Sequence, residues 1–373
     1  MAGIYIHIPF CKQACSYCDF HFSTTFSKYR SELLSVMREE MKVRAGYLKG
    51  KTVDTIYFGG GTPSLLSDKE ISDFLNEARS DFSVSENPEI TLEANPDDIS
   101  DETLEGWKRA GINRLSIGVQ SFLQEDLDWM NRAHTAEESL SSIYKAGAKG
   151  FLLTVDLIYG LPNRTLNDWK KNLNALIELN PDHISAYCLT VEEGTALNSW
   201  VEKGKINIPE DADQAEQFRL LRRLLGESGY EQYEISNFSK PGLYSRHNTN
   251  YWKGIDYLGI GPSAHSYNGE SRRWNVSSNR EYIRLFREGS VYFEEEILSA
   301  KDKFNEVLMT GLRTKWGVHL NDLCSLSALT DEFKSVLKNF ENQGLLTNKG
   351  EHVLLTEEGK LRADYIASEL FLI

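Results

Sequence analysis

The stretch HIPFCKQACSYCDF, from His7 to Phe20, places three of the five cysteines of this chain within a few residues of one another. Cys11, Cys15 and Cys18 follow the spacing C-x-x-x-C-x-x-C, and Phe20 stands where a fourth cysteine would continue the series. Grouped cysteines in a chain without a recognisable export signal more often bind metal or react than form disulfides. The stretch therefore predicts a metal centre near the start of the chain.

Three chemistries compete for these thiols. A disulfide with one spare cysteine suits a reducing compartment poorly. A zinc site usually has four ligands, and His7 or His21, which flank the cysteines, would supply the missing one. A cubane iron–sulfur cluster commonly binds four thiolates, so three would leave one iron open to a substrate or cofactor. The spacing favours iron–sulfur and leaves zinc as a competitor.

The overall charge argues against one class of partner. The 373 residues include 41 Lys and Arg against 55 Asp and Glu, a formal net charge of −14. A chain of this charge, without a local basic patch, repels phosphate backbones, so nucleic acid is not an expected partner. No apolar run is long enough to span a bilayer, and no signal peptide is recognisable, so we expect a cytoplasmic protein.

Beyond the cysteines, apolar runs alternate with helical stretches, as in βα repeats around a parallel sheet. The spacing of Leu33, Leu34, Met37 and Met41 predicts a helix over residues 26–45. Six such units predict an α/β fold, an incomplete TIM-like (β/α)6 barrel with ligands at the carboxyl ends of the strands. A Rossmann-type open sheet is the alternative. The predicted strands span residues 3–8, 54–58, 89–94, 114–119, 152–158 and 183–189.

Glycine or polar residues follow most of these strands. Glycines after the second strand allow a close backbone approach to a ligand and present free N–H groups. A carboxylate in an apolar run needs a partner such as an ammonium or a ribose hydroxyl, and a guanidinium pairs well with a carboxylate. Taken singly, each residue more often has a structural role. The set is Gly60, Gly61, Thr62, Glu93, Gln120, Arg132 and Asp156.

The cysteine spacing, with Tyr17 before the third cysteine, resembles the signature of radical S-adenosylmethionine (SAM) proteins. The resemblance implies a 4Fe–4S cluster on Cys11, Cys15 and Cys18, with SAM bound to the fourth iron. It also implies an electron from the cluster that cleaves the sulfonium and releases a deoxyadenosyl radical. By the same resemblance, the contacts to SAM come from Tyr5, Gly60, Gly61, Thr62, Glu93, Gln120, Arg132 and Asp156.

Further motifs along the whole chain resemble one group of radical SAM proteins. YxHIPFC, GGGTP, GVQSF, DLIYGLP and YEISNF are similar to motifs of oxygen-independent coproporphyrinogen III dehydrogenase (HemN) and its relatives. That enzyme has a further cysteine where Phe20 stands here, and it has a longer N-terminus. The sequence CxxxCxxCDF and the later HNxxYW are instead similar to the HemW-type heme chaperones.

This resemblance implies that the chain binds heme and delivers it to heme-accepting proteins, such as membrane respiratory enzymes. It allows a homodimer. The alternative is an enzyme that oxidatively decarboxylates the propionates of coproporphyrinogen III, and Phe20 weighs against it. A heme-degrading or methylating relative is a third, weaker hypothesis.

Two histidines are candidate ligands for the heme iron. His247, in HNTNYW, stands near Tyr251 and Trp252, and imidazole can ligate iron while flat rings stack on a porphyrin. A His–Asn pair in a turn often only makes backbone hydrogen bonds, so a structural role is the alternative. His265, in GIGPSAHSY, is the second candidate. GIGPSA lacks the surrounding βαβ unit of a dinucleotide site.

The remaining sequence changes character near residue 299. The order helix, helix, short hairpin, helix predicts a winged-helix-like α+β domain, with the hairpin in LLTNKGEHVLLT. Mixed charges favour a lid or docking role over DNA binding. The predicted domains are residues 1–230, a barrel extension over 231–298, and 299–373, with a linker at 294–299. Cys188 and Cys324 are expected to be inert apolar packing residues.

Overall fold

The computed structural model describes residues 1–372 and has six parallel strands at the centre of a 12-stranded sheet. These strands lie side by side in chain order, so the sheet has no switch point of the Rossmann type. The sheet stays open, which confirms the incomplete barrel. The strands are β1 Ala2–Ile8, β2 Val53–Gly60, β3 Val84–Ala94, β4 Arg114–Gln120, β5 Leu152–Tyr159 and β6 His183–Cys188.

Helices follow all six strands, as the alternating pattern predicts. Four of them begin with a capping box, in which Ser67, Ser100, Thr135 or Thr165 accepts a hydrogen bond from the third helical N–H. Short 3₁₀ turns, Pro63–Leu65 and Pro96–Asp98, precede two helices. The helices are α1 Arg30–Val43, α2 Asp68–Asp81, α3 Asp101–Ala110, α4 Gln124–Trp129, α5 Ala136–Ala148, α6 Leu166–Leu179, α7 Ala196–Glu202 and α8 Asp211–Glu227.

The segment over residues 231–298 extends the sheet at both edges. Two antiparallel strands lie beyond β6, and one strand pairs parallel with β1 and leads to three antiparallel ones. They are β7 Glu231–Glu234, β8 Asn237–Ser239, β9 Tyr257–Ile260, β10 His265–Tyr267, β11 Ser271–Asn275 and β12 Phe293–Ile297. Helices α9 Arg246–Trp252 and α10 Asn279–Arg287 connect them.

The last part of the described chain has a hydrophobic core of its own, running from Phe304 to Leu370. A three-stranded sheet packs with four helices, one more than the predicted order helix, helix, hairpin, helix contains, and the predicted hairpin is present. We propose residue 299 as the boundary, because Ser299 caps the first of these helices. The elements are α11 Ala300–Leu312, β13 Val318–His319, α12 Leu320–Leu326, α13 Asp331–Asn342, β14 Leu346–Lys349, β15 His352–Leu355, the 3₁₀ turn Gly359–Arg362 and α14 Ala363–Glu369.

The predicted linker is wrong in its position. Residues 293–297 form β12, the edge strand of the large sheet, which pairs with β11. Glu294, Glu295 and Glu296 are exposed there, and charges on an edge strand discourage pairing with another chain. The acidic run that looked like a connector therefore protects an edge. Among the helices of residues 1–372, none combines the length and the apolarity needed to cross a membrane.

Candidate functional site

A cavity of about 1670 Å³ lies at the carboxyl ends of the parallel strands. Ligand sites of parallel α/β folds occupy this end of the sheet. Most of the residues predicted from the sequence line this one cavity, although strands far apart in the chain supply them. They are Cys11, Cys15, Cys18, Gly60, Gly61, Thr62, Glu93, Gln120, Arg132 and Asp156.

The loop between β1 and α1 carries the three cysteines, which are free and half-buried. Backbone hydrogen bonds from Cys11 N–H to the Ser23 carbonyl (3.1 Å) and from Ser23 N–H to the Pro9 carbonyl (2.9 Å) hold the base of the loop. Gly61 fits beneath it, because a Cβ there would stand 2.6 Å from the Phe10 carbonyl oxygen and 3.0 Å from Cys11 Sγ. Glycine is therefore required at position 61, where the chain leaves β2 beneath the cysteine loop.

Two polar side chains contact the thiols. Thr62 Oγ1 donates to Cys11 Sγ at 3.5 Å, and Arg132 Nη1 donates to Cys15 Sγ at 3.3 Å. Burial raises the pKa of Cys18 to about 12, and it also raises the pKa of Cys11, with the neighbouring cysteines adding to both shifts. The Cys11 and Cys18 thiols are therefore protonated at neutral pH unless a cation holds them, and metal binding by these two thiols releases protons.

The zinc alternative fits this arrangement poorly. His7 Nε2 donates to the His21 carbonyl at 3.0 Å, and its Nδ1 accepts from the Tyr5 hydroxyl at 3.1 Å, so neither nitrogen is free. His21 Nε2 donates to Asn279 Oδ1 at 2.7 Å. Within residues 1–372, no three His, Cys, Asp or Glu side chains converge on a single-ion position. Thiolates of a cubane cluster each bind a different iron and need no such convergence.

Two carboxylates face the cavity from β3 and β5. Glu93 accepts from the Tyr57 hydroxyl at 2.8 Å and from Gly60 N–H at 3.1 Å, yet burial raises its pKa to about 7. Burial likewise raises the pKa of Asp156 to about 6, although the Ser116 hydroxyl donates to it at 3.2 Å. Buried carboxyls with raised pKa values that line a cavity are typical of ligand-binding or catalytic sites.

Arg132 connects the carboxylate side of the cavity to the cysteines. Its Nη2 donates to Asn95 Oδ1 at 2.7 Å and to the Gly118 carbonyl at 2.8 Å, while Nη1 reaches Cys15. Gln120, at the end of β4, has a left-handed backbone with φ of 67°. A non-glycine residue in that region is uncommon and is found at functional sites.

The structure places Tyr5 outside the cavity lining. Its ring stacks on Tyr57 at a centroid distance of 6.0 Å, and its hydroxyl is engaged by His7. Tyr57, which the sequence reasoning missed, lines the cavity in its place. Asn95 and Ser116 were missed as well. Their signal was available, since polar residues inside or at the end of a buried strand need a partner.

His247 is buried beside β1 and β2 and does not line the cavity. Its Nδ1 hydrogen-bonds Thr55 Oγ1 at 2.8 Å and its Nε2 hydrogen-bonds the Tyr251 hydroxyl at 2.9 Å, so no ring nitrogen is free for iron. Burial lowers the pKa of His247 to about 3. His265 is exposed at the start of β10, stacked on Trp274 at 6.1 Å, and also lies outside the cavity lining. The residue of this segment that does line the cavity is Asn248.

One of the other two cysteines matches the expectation and one does not. Cys188 is half-buried, lines the cavity, and its thiol donates to Gln214 Oε1 at 3.1 Å. Cys324 is exposed on α12, because Leu323 and not Cys324 occupies the buried face of that helix. Cys188 also packs against the main hydrophobic core, as the sequence suggested, whereas Cys324 is not an apolar packing residue.

Known protein families and a solved structure resemble this chain. The sequence model of the Radical SAM superfamily matches residues 5–176, and that of the HemN C-terminal domain matches residues 298–362. The structure of the radical SAM enzyme coproporphyrinogen III oxidase (HemN) from Escherichia coli superposes with a TM-score of 0.86. The superposition covers 99% of this chain and 90% of that one at 24% identity, so it establishes the fold alone. Fold and matches together define the class, a radical SAM protein with a HemN-type C-terminal domain.

Relatives of nearly the same length narrow this class. Heme chaperone HemW of Bacillus subtilis is 36% identical over 371 residues, which are 97% of this chain and 97% of the relative. HemW of Escherichia coli is 34% identical over 374 residues, covering 99% of this chain and 98% of the relative. The chain belongs to the HemW family.

Proposed function

We propose that the chain is a heme chaperone, which binds a 4Fe–4S cluster, SAM and heme and transfers the heme to acceptor proteins such as membrane respiratory enzymes. One observation carries the proposal. Three half-buried cysteines share a single cavity with two carboxyls from separate strands and a guanidinium from the loop after α4. The relatives that span nearly the whole chain bear the name heme chaperone, which supports heme as the cargo.

The residues present suit a cluster on Cys11, Cys15 and Cys18. The loop is close to solvent, its thiols have no other role, and Gly61 leaves no room for a side chain beneath them. A bound cluster with SAM would supply a one-electron reduction of the sulfonium.

The cavity residues take the following parts in binding SAM. Glu93 pairs with its amino group, because its carboxyl faces the cavity beside the half-buried glycine turn and a bound ammonium would favour its ionised form. Arg132 binds the SAM carboxylate, and Asp156 accepts from ribose hydroxyls. Each role follows from charge and from the placement around one cavity.

The experiment that tests the proposal uses the full chain, reconstituted anaerobically with iron and sulfide. One sample is titrated with heme, loaded, and mixed with a heme-free acceptor protein, while absorbance follows the heme. A second receives coproporphyrinogen III, SAM and a reductant. We expect heme binding and transfer with no product in the second sample. Formation of protoporphyrinogen would instead establish the decarboxylating enzyme and overturn the proposal.

Substitutions at and beside His247 test whether this histidine binds the heme iron. Iron binding by His247 requires its Nε2 to leave the Tyr251 hydroxyl. A His247→Ala protein that keeps its heme affinity would remove this residue as a ligand, whereas Tyr251→Phe frees Nε2 and should not weaken binding. The cytoplasm, where thiols stay reduced, is the proposed compartment. The homodimer stays a prediction from the resemblance.

A further inference from the structure

The cavity is larger than one small ligand requires. Drug-sized ligands occupy pockets of about 300–1000 Å³, and this cavity measures about 1670 Å³. Its inner part lies at the cysteines. Its outer part, here called the outer lobe, lies between α8 and the C-terminal domain. The outer lobe is lined by Ala212, Ala215, Phe218 and Arg219 from α8 and by Leu345, Lys360, Leu361 and Arg362 from the C-terminal domain.

Part of the wall of the outer lobe is apolar. Ala212, Ala215 and Phe218 follow one another at a spacing of three on α8, so they share one face of the helix. Leu345 and Leu361 line the lobe from the C-terminal domain. Small residues on a helix leave a shallow, even surface, which suits a flat ring system better than a compact ligand.

The rim of the lobe is basic and incompletely neutralised. Lys360 Nζ lies 3.1 Å from Glu357 Oε1, and Arg222 pairs with the same carboxylate. Arg219 Nη2 lies 3.0 Å from Glu358 Oε2.

Arg362 also acts on Glu358. The pKa of this carboxyl is lowered chiefly by Arg219, with smaller contributions from Arg222 and Arg362. Four cations therefore share the carboxylates of Glu357 and Glu358, and Glu216 also acts on one of these cations, Arg219. Burial, followed by the nearby Arg222, lowers the pKa of Lys360 to about 8, as expected of an ammonium without a full counter-charge.

Acidic groups elsewhere on the lobe do not supply that counter-charge. Asp364 is paired with Arg313 at 2.6 Å, and Arg313 also contacts Glu234 at 3.1 Å. Asp211 lines the cavity at the start of α8, a turn away from Ala215 and two turns before Arg219. The surplus of positive charge thus sits at the outer rim, on the turn Gly359–Arg362.

We propose that the outer lobe binds a planar macrocycle with two carboxylates, whose carboxylates pair with Lys360 and Arg362. For the function proposed above, on which this inference rests, the macrocycle is heme and the carboxylates are its propionates. The C-terminal domain then forms one wall of the ligand site and contributes its charge. Two rim contacts match two propionates, while the apolar part of the wall holds the ring.

The test compares heme with its dimethyl ester, in which both propionates are neutral, on the full reconstituted chain. It needs no substitution, so misfolding cannot obscure it. We expect the ester to bind about tenfold more weakly, as two partly exposed ion pairs are lost. The double variant Lys360→Met/Arg362→Met should show the same loss for heme and no further loss for the ester. Lys334→Met/Lys338→Met, on the exposed face of α13 in the same domain, is the matched control and should bind both as the wild type does.

The outcomes separate this inference from the proposed function. A wild-type chain that binds neither heme nor ester overturns the chaperone proposal and this site with it. A chain that binds both equally, with no effect of the rim substitutions, keeps the chaperone proposal and refutes the site. SAM binding, measured in the same samples, should be unchanged in both double variants, because their side chains lie away from the cysteines.

Discussion

Gly61→Ala should disturb the cysteine loop. The new Cβ would stand 2.6 Å from the Phe10 carbonyl oxygen, 2.9 Å from the Ile8 carbonyl oxygen and 3.0 Å from Cys11 Sγ. Two of these neighbours are backbone atoms, so no side chain can rotate away. The loop would have to shift by about 0.4 Å merely to bring the closest contact to 3.0 Å, and overpacking of this kind costs about 1–3 kcal/mol.

The assay has two readouts, the iron bound per chain after anaerobic reconstitution and the free energy of unfolding in urea. We expect both to fall in Gly61→Ala. Gly46→Ala is the matched control, because nothing lies within 4 Å of its added Cβ. It should keep its iron and gain up to about 1 kcal/mol, since alanine restricts the unfolded chain. A Gly61→Ala protein with full iron and unchanged stability would refute the close fit of the second strand under the cysteines.

Three further predictions follow from buried polar groups. Burial raises the pKa of Glu93 to about 7 from its ordinary 4.5, so the unliganded protein should lose stability as the pH rises from about 4.5 through 7. Glu93→Gln should show a smaller loss when urea midpoints are compared between pH 5 and 8, with the remainder due to Asp156, and an unchanged loss would contradict the raised pKa of Glu93. Arg313→Ala should lower the free energy of unfolding by about 3 kcal/mol, because it leaves the buried Glu234 without its cation. The control Lys334→Ala, at an exposed ion pair, should change this free energy by less than about 0.5 kcal/mol. Equal effects of the two substitutions would contradict the buried pair. His247→Ala should cost about 3 kcal/mol in the same measurement, since it opens a core cavity and deprives two hydroxyls of their partner, and a neutral result would mean that the imidazole is not held as described.

The local pattern of the sequence was sufficient for the parallel sheet. Each of the six predicted strands overlaps an observed one, because a buried parallel strand is a continuous apolar run with turn residues after it. The helix predicted over residues 26–45 is observed as Arg30–Val43, with Leu33, Leu34, Met37 and Met41 on its buried face. The strand-end residues then meet at one edge as a consequence of parallel geometry.

The pairings between strands far apart in the chain could not be predicted from the local sequence pattern. β9 joins β1 across more than two hundred residues of chain, and nothing in YLGI distinguishes a parallel partner from an antiparallel one. The position of His247 depends on that pairing, since α9 precedes β9 and packs beside β1 and β2. The basic rim of the outer lobe was equally hidden, because Arg219 and Lys360 approach each other only when the C-terminal domain docks on α8.

The acidic segment at 294–296 shows that composition alone did not distinguish a linker from an edge strand. Its composition is that of a linker, and its charges indeed face solvent. All three of its residues nevertheless pair with β11, as part of the five paired positions of β12. A run of glutamates does not exclude a strand when the strand is an edge and the side chains point outward.

The content of iron and acid-labile sulfide in anaerobically reconstituted protein tests the central claim most directly. The account predicts about four irons and about four sulfides per chain, lost in Cys15→Ala and retained in Cys188→Ala, whose thiol lines the same cavity farther from the loop. Colourless protein that holds one zinc ion and no sulfide would contradict it.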